Sequence, residues 1–336
     1  MMSPPRIRNF EDFRHAFFGF RLPRIIVTAL ELDLFSVMGH TLWTVKSLAH
    51  ALQVSERGLD ILCRNLANAG LVQKRGTRYQ CGHVAQRFLN RQSHEYRGAY
   101  LELMRQQWDD WGHLTQSVKT GQAIDVNEPE SNAYRRSFSW AMHERSMDSA
   151  RQVAKQLNLK QAKSLLDVGG GPGTYALEFL AKNPKLSATL LDRPEALAVA
   201  QEIAGPLRHG KRLAYQPADF LADPIQGTYD ILWLSNIIHI YSPSVNRRLF
   251  RRLRSHLNPG GRIYIQDAFL LDNHGLRPAE TNLFAVTMLL FTESGNTYSA
   301  VDIQAWLKKA GYVRPGMTSL QKGTGDWDGM LIHAFG

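Results

Sequence analysis

Leu165-Leu166-Asp167-Val168-Gly169-Gly170-Gly171-Pro172-Gly173-Thr174 is an apolar strand that runs into a glycine turn and opens a helix. Such a turn brings amide N–H groups of the helix start against an anionic or carboxylate-bearing ligand. A second strand, Ser187 to Leu191, ends in Asp192, 19 residues after Gly173. A carboxylate at that strand end accepts both hydroxyls of a ribose. The stretch therefore marks a nucleotide-type cofactor site.

From Gly171 onward, Gly171-Pro172-Gly173-Thr174-Tyr175-Ala176 also satisfies the dinucleotide pattern G-x-G-x-x-A. Two acidic features point away from a dinucleotide. Asp167 precedes the glycines, and Ala218-Asp219-Phe220 follows the next strand, Arg212 to Gln216. A carboxylate repels a pyrophosphate and attracts the amino group of the methionyl tail of S-adenosylmethionine (SAM).

Working outward, strands and helices alternate. The strands are Ser164 to Val168, Ser187 to Leu191, Arg212 to Gln216, Ile231 to Ser235 and Arg262 to Asp267, with a late pair at Arg314 to Leu320 and Met330 to Phe335. This alternation predicts an α/β domain with a mainly parallel sheet, whose ligands sit at the carboxyl ends of the strands. Arg97 to Leu159 reads as helical, broken near Ala123 to Asn132 by a polar segment. Arg247 to Arg254 predicts a solvated amphipathic helix, with Leu249, Phe250, Leu253 and Leu257 on its buried face.

The amino-terminal part is of a different kind. Apolar residues at helical spacing between 14 and 39 predict a helix pair that needs a partner surface. Thr44 and Ser55 are caps of two short helices, the second running to about Ala69 and stopped by Gly70. Leu71 to Lys74 and Arg78 to Cys81 form a hairpin around Arg75-Gly76-Thr77, completing a winged helix. That opens a DNA-binding reading, which Glu56 and Asp60 on the second helix oppose by presenting carboxylates to phosphates.

The net charge of +10 is uneven. Residues 1–163 hold 23 Lys and Arg against 15 Asp and Glu, and residues 164–336 hold 17 against 15. The excess lies outside the cofactor region and reads as solvated surface, or alternatively as a funnel for an acidic substrate. Two cysteines, Cys63 and Cys81, without C-x-x-C spacing, predict a reducing cytoplasm and no structural metal. No apolar run is long enough to cross a bilayer, and Met1 to Asp12 lacks an apolar signal core.

Asp167-Val168-Gly169-Gly170-Gly171-Pro172-Gly173, Asp192-Arg193-Pro194, Asp219-Phe220 and His239 before Tyr241 together resemble the SAM-dependent O-methyltransferases of the plant caffeate type and their bacterial small-molecule relatives. The resemblance covers nearly the whole chain and is strongest from Phe138 to Asp267. It implies a winged-helix dimerisation domain at 1–95, a helical connector at 96–160 contributing to the substrate pocket, and a Rossmann-like class I methyltransferase domain at 161–336. It implies SAM as cofactor, a homodimer, and a small, aromatic secondary metabolite as methyl acceptor, with no nucleic acid or membrane partner. Asp167, Gly169, Gly171, Asp192, Asp219, Phe220 and Ser235 would hold the cofactor, Ser235 standing where the plant relatives have a lysine. Phe138, Met142, Arg145, Phe284 and Met288 would line the acceptor slot.

A phenol, with a pKa of about 10, needs its proton removed, and a histidine near 6.5 is suited to that at neutral pH. His239 follows the strand Ile231 to Leu234 at the end where ligands bind. The resemblance makes His239 the general base. The family has His-Asp-Trp where this chain has His239-Ile240-Tyr241, and its two framing glutamates fall on Asp267 and Thr297. Asp267 keeps a carboxylate on a shorter arm and would be the catalytic partner that orients His239, whereas Thr297 keeps no charge. The alternatives are a C- or N-methyltransferase or a non-methylating enzyme of this fold, a nicotinamide-dependent dehydrogenase, and a winged-helix DNA-binding regulator.

Overall fold

Hydroxyl caps punctuate the amino-terminal unit of the computed structural model, which describes residues 6–124, 131–272, 274–320 and 330–336. Thr44 accepts from the N–H of Ser47 and Ser55 from that of Gly58, each satisfying a donor that the first helical turn leaves unpaired. The chain divides into two compact units, one ending at Arg105 and the other starting at Gln106.

The first unit holds helices α1 (Phe10–Phe17), α2 (Arg21–Glu31) and α3 (Leu34–Met38), strand β1 (Trp43–Thr44), and helices α4 (Val45–Leu52) and α5 (Glu56–Asn68). The hairpin β2 (Val72–Arg75) and β3 (Arg78–Cys81) and helix α6 (His83–Phe88) follow. β1, β3 and β2 form a small antiparallel sheet, the wing read from the sequence. Its core is Leu34, Phe35, Met38, Leu48, Leu59, Cys63, Leu66, Val72 and Tyr79. Burial pushes the Cys63 thiol up to about 12 and the Cys81 thiol up to about 11, so both stay protonated and act as small apolar groups. The stripe expected to need a partner is exposed at Phe17, Phe18 and Leu22, and Phe10, Phe13 and Phe20 extend the exposed apolar face beside it.

Helix α7 (Gly98–Asp110) spans the division between the units and leads to α8 (Leu114–Thr120) and the 25-residue α9 (Asn132–Gln156). Of the break expected at Ala123 to Asn132, residues 125–130 lie outside the described residues, as do residues 1–5 of the segment searched for a signal core. Then come β4 (Ser164–Val168), α10 (Thr174–Lys182), β5 (Ser187–Asp192), α11 (Pro194–Ala204), β6 (Leu213–Pro217), β7 (Tyr229–Ser235) and α12 (Pro243–Arg254). The chain continues through β8 (Leu257–Gln266), β9 (Phe269–Leu270), α13 (Ala279–Phe291), β10 (Tyr298–Ser299), α14 (Ala300–Lys309), β11 (Val313–Ser319) and β12 (Met330–Phe335).

The large sheet has the order β11-β12-β8-β7-β4-β5-β6. β8, β7, β4, β5 and β6 are parallel, while β12 runs antiparallel to β8 and to β11. From β4 the chain moves outward through β5 and β6, then returns to β7 on the other side of β4. That reversal opens a crevice at the carboxyl ends of β4 and β7. Alternation along the strands feeds two cores. Leu232, Leu234, Ile263 and Ile265 face α12 and α14, whereas Trp233 and Tyr264 face α9 and α10.

One expectation is corrected here. Leu257 is not on the face of the arginine-rich helix, because α12 ends at Arg254 and Leu257 is the first residue of β8. The following Asn258-Pro259-Gly260-Gly261 cannot continue a helix, with Gly260 at φ +75. The rest of that reading holds, since Leu249, Phe250 and Leu253 are buried and Arg247, Arg248 and Arg251 are exposed. Among the described residues no helix is long and apolar enough to cross a membrane, and no cluster of side chains is arranged to hold a metal ion.

Candidate active site

Parallel strands put their carboxyl ends on one edge, so the loops after β4, β5, β6, β7 and β8 share a rim. After β4, Gly169, Gly171 and Gly173 adopt φ of +65, +52 and +74, backbone geometry that an L side chain strains to reach. A Cβ at Gly169 would lie 2.3 Å from Ile237 Cδ1, and one at Gly173 2.7 Å from Leu190 Cδ1. A Cβ at Gly171 would meet nothing within 4 Å, so this residue leaves open space above the loop.

Asp192, at the end of β5, ties that loop down. One carboxylate oxygen accepts from Gly171 N–H at 2.7 Å and the other from Arg193 N–H at 2.7 Å. Each oxygen keeps a further lone pair. Asp167 lies beneath the loop, 2 % exposed, and accepts from the N–H of Ala176 in the first turn of α10. Burial first, and the Asp192 charge second, push its carboxyl up to about 8, with the Ala176 N–H pulling the other way. Burial also raises Asp192.

The sign of the consequence follows from linkage. A carboxyl near 8 in the native state and about 3.9 in the unfolded chain holds a proton natively that unfolding releases. The contribution of Asp167 to the stability of the ligand-free protein is therefore expected to fall as pH rises from about 4 to 8, and Asp167→Asn to remove that component. Thermal midpoints across this range check it; parallel curves for the two proteins would refute it.

After β6, Asp219 turns its chain inward, its carboxylate accepting from Leu221 N–H at 2.8 Å. The neighbouring Phe220 ring meets the edge of Tyr241 at 6.0 Å and would lie 3.2 Å from a Cβ on Gly169. Burial raises the Tyr241 hydroxyl, with the charges of Asp219 and Asp192 adding to it and that of Arg193 opposing it. Ser235, half-buried at the end of β7, accepts from Asn236 Nδ2 at 3.0 Å. Asn236 sits at φ +58, and its Oδ1 is buried with no partner among the described residues. These features fit an adenosyl amino acid. Asp192 would take its ribose, Phe220 and Asp219 its adenine, and the glycine loop its aminoacyl tail. The orphaned Asn236 oxygen offers one more acceptor beside Ser235.

His239 lies in the turn between β7 and α12, and the turn is held on every side. Ile237 and Ile238 donate their N–H groups to one oxygen of Asp267, each at 3.1 Å. Asn246 donates to the carbonyls of Ile238 at 2.8 Å and Tyr241 at 3.0 Å, and Asn296 N–H donates to the carbonyl of His239 at 2.9 Å. The other Asp267 oxygen accepts from Ala268 N–H at 2.7 Å and from His239 Nδ1 at 2.6 Å. A carboxylate with those donors acts as an acceptor, so Nδ1 presents its proton to Asp267, and in the neutral imidazole the lone pair is on Nε2. His239 is 7 % exposed, and its ring is crossed edge-on by Phe284 of α13 at 4.8 Å.

The expected acceptor residues fall into two groups. Phe284 touches His239, and Met288 follows it one turn later, buried. Phe138, Met142 and Arg145 share one face of α9 by spacing, Phe138 being 43 % exposed and the other two half-buried. Thr297 is buried, and its segment meets His239 through backbone. His143 also lies on α9. It is half-buried, with Nδ1 2.9 Å from the Thr174 hydroxyl. Sequence reasoning missed Asn236, Ile237 and Asn246. Only the position of the first two beside His239 could have suggested them.

Residues 114–313 match the model of the O-methyltransferase domain, and residues 14–91 that of the O-methyltransferase dimerisation domain. The 3-hydroxy-5-methyl-1-naphthoate 3-O-methyltransferase of Streptomyces sahachiroi is 29% identical over 293 residues, covering 85% of this chain and 84% of that protein. The tetracenomycin polyketide synthesis 8-O-methyl transferase of Streptomyces glaucescens is 26% identical over 308 residues, 88% of each chain. The structure of human N-acetylserotonin methyltransferase, solved in complex with SAM, shares the fold with a TM-score of 0.84, at 22% identity over 99% of each chain.

Proposed function

The chain belongs to the O-methyltransferases that carry a dimerisation domain, and we propose that it methylates a hydroxyl of a small aromatic secondary metabolite with SAM, using His239 as general base. The observation that carries this reading is the His239 Nδ1 to Asp267 Oδ1 contact of 2.6 Å on the rim shared with the glycine loop. When bound, SAM supplies a methyl group made electrophilic by its sulfonium.

The remaining work belongs to the protein. His239 Nε2 receives the proton of the acceptor hydroxyl as the oxygen becomes a nucleophile. Asp267 fixes the tautomer that makes this possible and stabilises the imidazolium that results. Because Asp267 fills this role, the charge missing at Thr297 is not required. Phe284 covers one edge of the imidazole and helps keep water out. Phe138, Met142, Phe284 and Met288 supply the apolar walls that suit a flat acceptor, and Arg145 favours an acidic or carbonyl-bearing one. The naphthoate relative, a hydroxylated aromatic acid by name, agrees with that combination.

In this reading residues 1–95 dimerise, 96–160 contribute to the acceptor pocket and 161–336 hold SAM. The exposed phenylalanines of α1 and its neighbours fit a face covered by a second copy. A cytoplasmic protein with no nucleic-acid or membrane partner completes the proposal.

The test is transfer of methyl label from SAM to a panel of hydroxynaphthoates, phenols and hydroxyquinones, using protein shown by sedimentation to be a dimer. Label on oxygen is expected. Label on carbon or nitrogen would move the assignment to another methyltransferase class, and no SAM binding by folded protein would overturn it.

A further inference from the structure

The face of α9 that bears Phe138, Met142 and Arg145 continues by the same spacing to Ser149. Ser149 is the last residue of this stripe before Ala150, Val153 and Ala154 enter the apolar core. Its hydroxyl has two partners from two other elements. Tyr175 OH donates to it at 3.2 Å, and Gln266 Nε2 donates to it at 3.3 Å.

Both partners occupy informative positions. Tyr175 is the second residue of α10, directly after the glycine loop, and is 7 % exposed. Gln266 is the last residue of β8, is 1 % exposed, and immediately precedes Asp267. Its side chain turns to the α9 face, while its carbonyl accepts the N–H of Asn236, the residue that opens the His239 turn. One hydroxyl thus joins the helix of the acceptor wall, the helix behind the cofactor loop and the strand that carries the orienting carboxylate.

We propose that Ser149 is a positioning residue that sets the rotation and axial register of the acceptor wall on α9 against the His239–Asp267 pair. The proposal rests on the methyltransferase reading above and adds a determinant of acceptor placement to it. A slipped α9 would leave the base and the cofactor loop intact and misplace the hydroxyl to be methylated. Such misplacement acts on acceptor kcat/KM, because alignment of the reacting atoms is worth far more than their mere proximity. In the absence of the hydroxyl, Tyr175 OH and Gln266 Nε2 each lose the part-buried hydrogen bond that ties them to α9, which is the physical cause of the slip.

The experiment compares Ser149→Ala and Ser149→Thr with the parent dimer, using the acceptor that the parent methylates best in the panel above. The Ala variant is expected to lose about tenfold in acceptor kcat/KM. The Thr variant, which keeps a hydroxyl, should recover most of it, and calorimetric SAM affinity should stay within about twofold of the parent in both. A purely structural serine would lower the thermal midpoint while leaving kcat/KM unchanged well below that midpoint, and this result would overturn the proposal. So would an equal loss in both variants together with loss of SAM binding. A parent that binds SAM and methylates nothing in the panel would instead remove the reading on which the proposal stands.

Discussion

Alanine at His239 is expected to lower kcat by about 10²- to 10⁴-fold and to leave SAM affinity nearly unchanged, which is the usual contribution of one well-placed general base. The reason lies in the separation of the two halves of the site. Among the described residues His239 makes polar contacts with Asp267 and Asn296, and none with Asp192, Asp219, Phe220 or the glycine loop. Removing the imidazole therefore deletes the proposed proton acceptor, its contacts with Asp267 and Phe284, and no contact with the cofactor half of the site. Asp267→Ala should combine two losses. The imidazole would no longer be held with Nε2 free, and the Ile237 and Ile238 N–H groups would be left buried without their acceptor, at about 1–3 kcal/mol for each such group. Reduced stability is thus expected for both variants, with the larger loss in Asp267→Ala, which orphans two backbone donors as well as the imidazole. Full turnover by the His239 variant would remove the base assignment and leave an acceptor that ionises without help.

The second large effect is expected at the opposite end of the crevice. Asp192→Ala should weaken SAM binding by about 10²- to 10⁴-fold, because two hydrogen bonds donated by ribose hydroxyls to a carboxylate contribute roughly 1.5–3 kcal/mol each. The loss has a second source within the protein. The same carboxylate accepts from Gly171 and Arg193, so its removal also releases the glycine loop from the end of β5. Calorimetric titration of ligand-free protein with SAM, with NADH as comparator, measures both the affinity and the kind of cofactor. Binding of NADH rather than SAM would revive the dinucleotide reading of Gly171 to Ala176. An Asp192→Ala protein that binds SAM as tightly as the parent would remove the ribose assignment.

Much of this was legible in the linear chain because it rests on local rules. The strands Ser164–Val168 and Met330–Phe335 have the bounds expected from their apolar runs, and the caps Thr44 and Ser55 act as hydroxyls in those places do. The glycine loop was readable for the same reason, since positive φ at Gly169, Gly171 and Gly173 is a property of each residue and its neighbours. Leu257 escaped that logic. Its spacing continued the helical stripe of α12, yet the turn residues after it and pairing with Tyr229 drew it into a strand.

The sequence by itself determined the class of fold, the place of the cofactor crevice and the identity of the histidine at its rim, because hydrophobic period, turn chemistry and the order of strands are written locally. The resemblance already paired Asp267 with His239; only the tertiary structure decided the hydrogen bond between them, that Asn246 and Asn296 brace the His239 turn, and that Ser149 joins three elements. Those contacts link residues far apart along the chain, 28 positions in the case of His239 and Asp267 and 117 in the case of Ser149 and Gln266. Which hydroxyl or carboxylate meets which partner depends on the register of packed strands and helices, and no local period encodes that register.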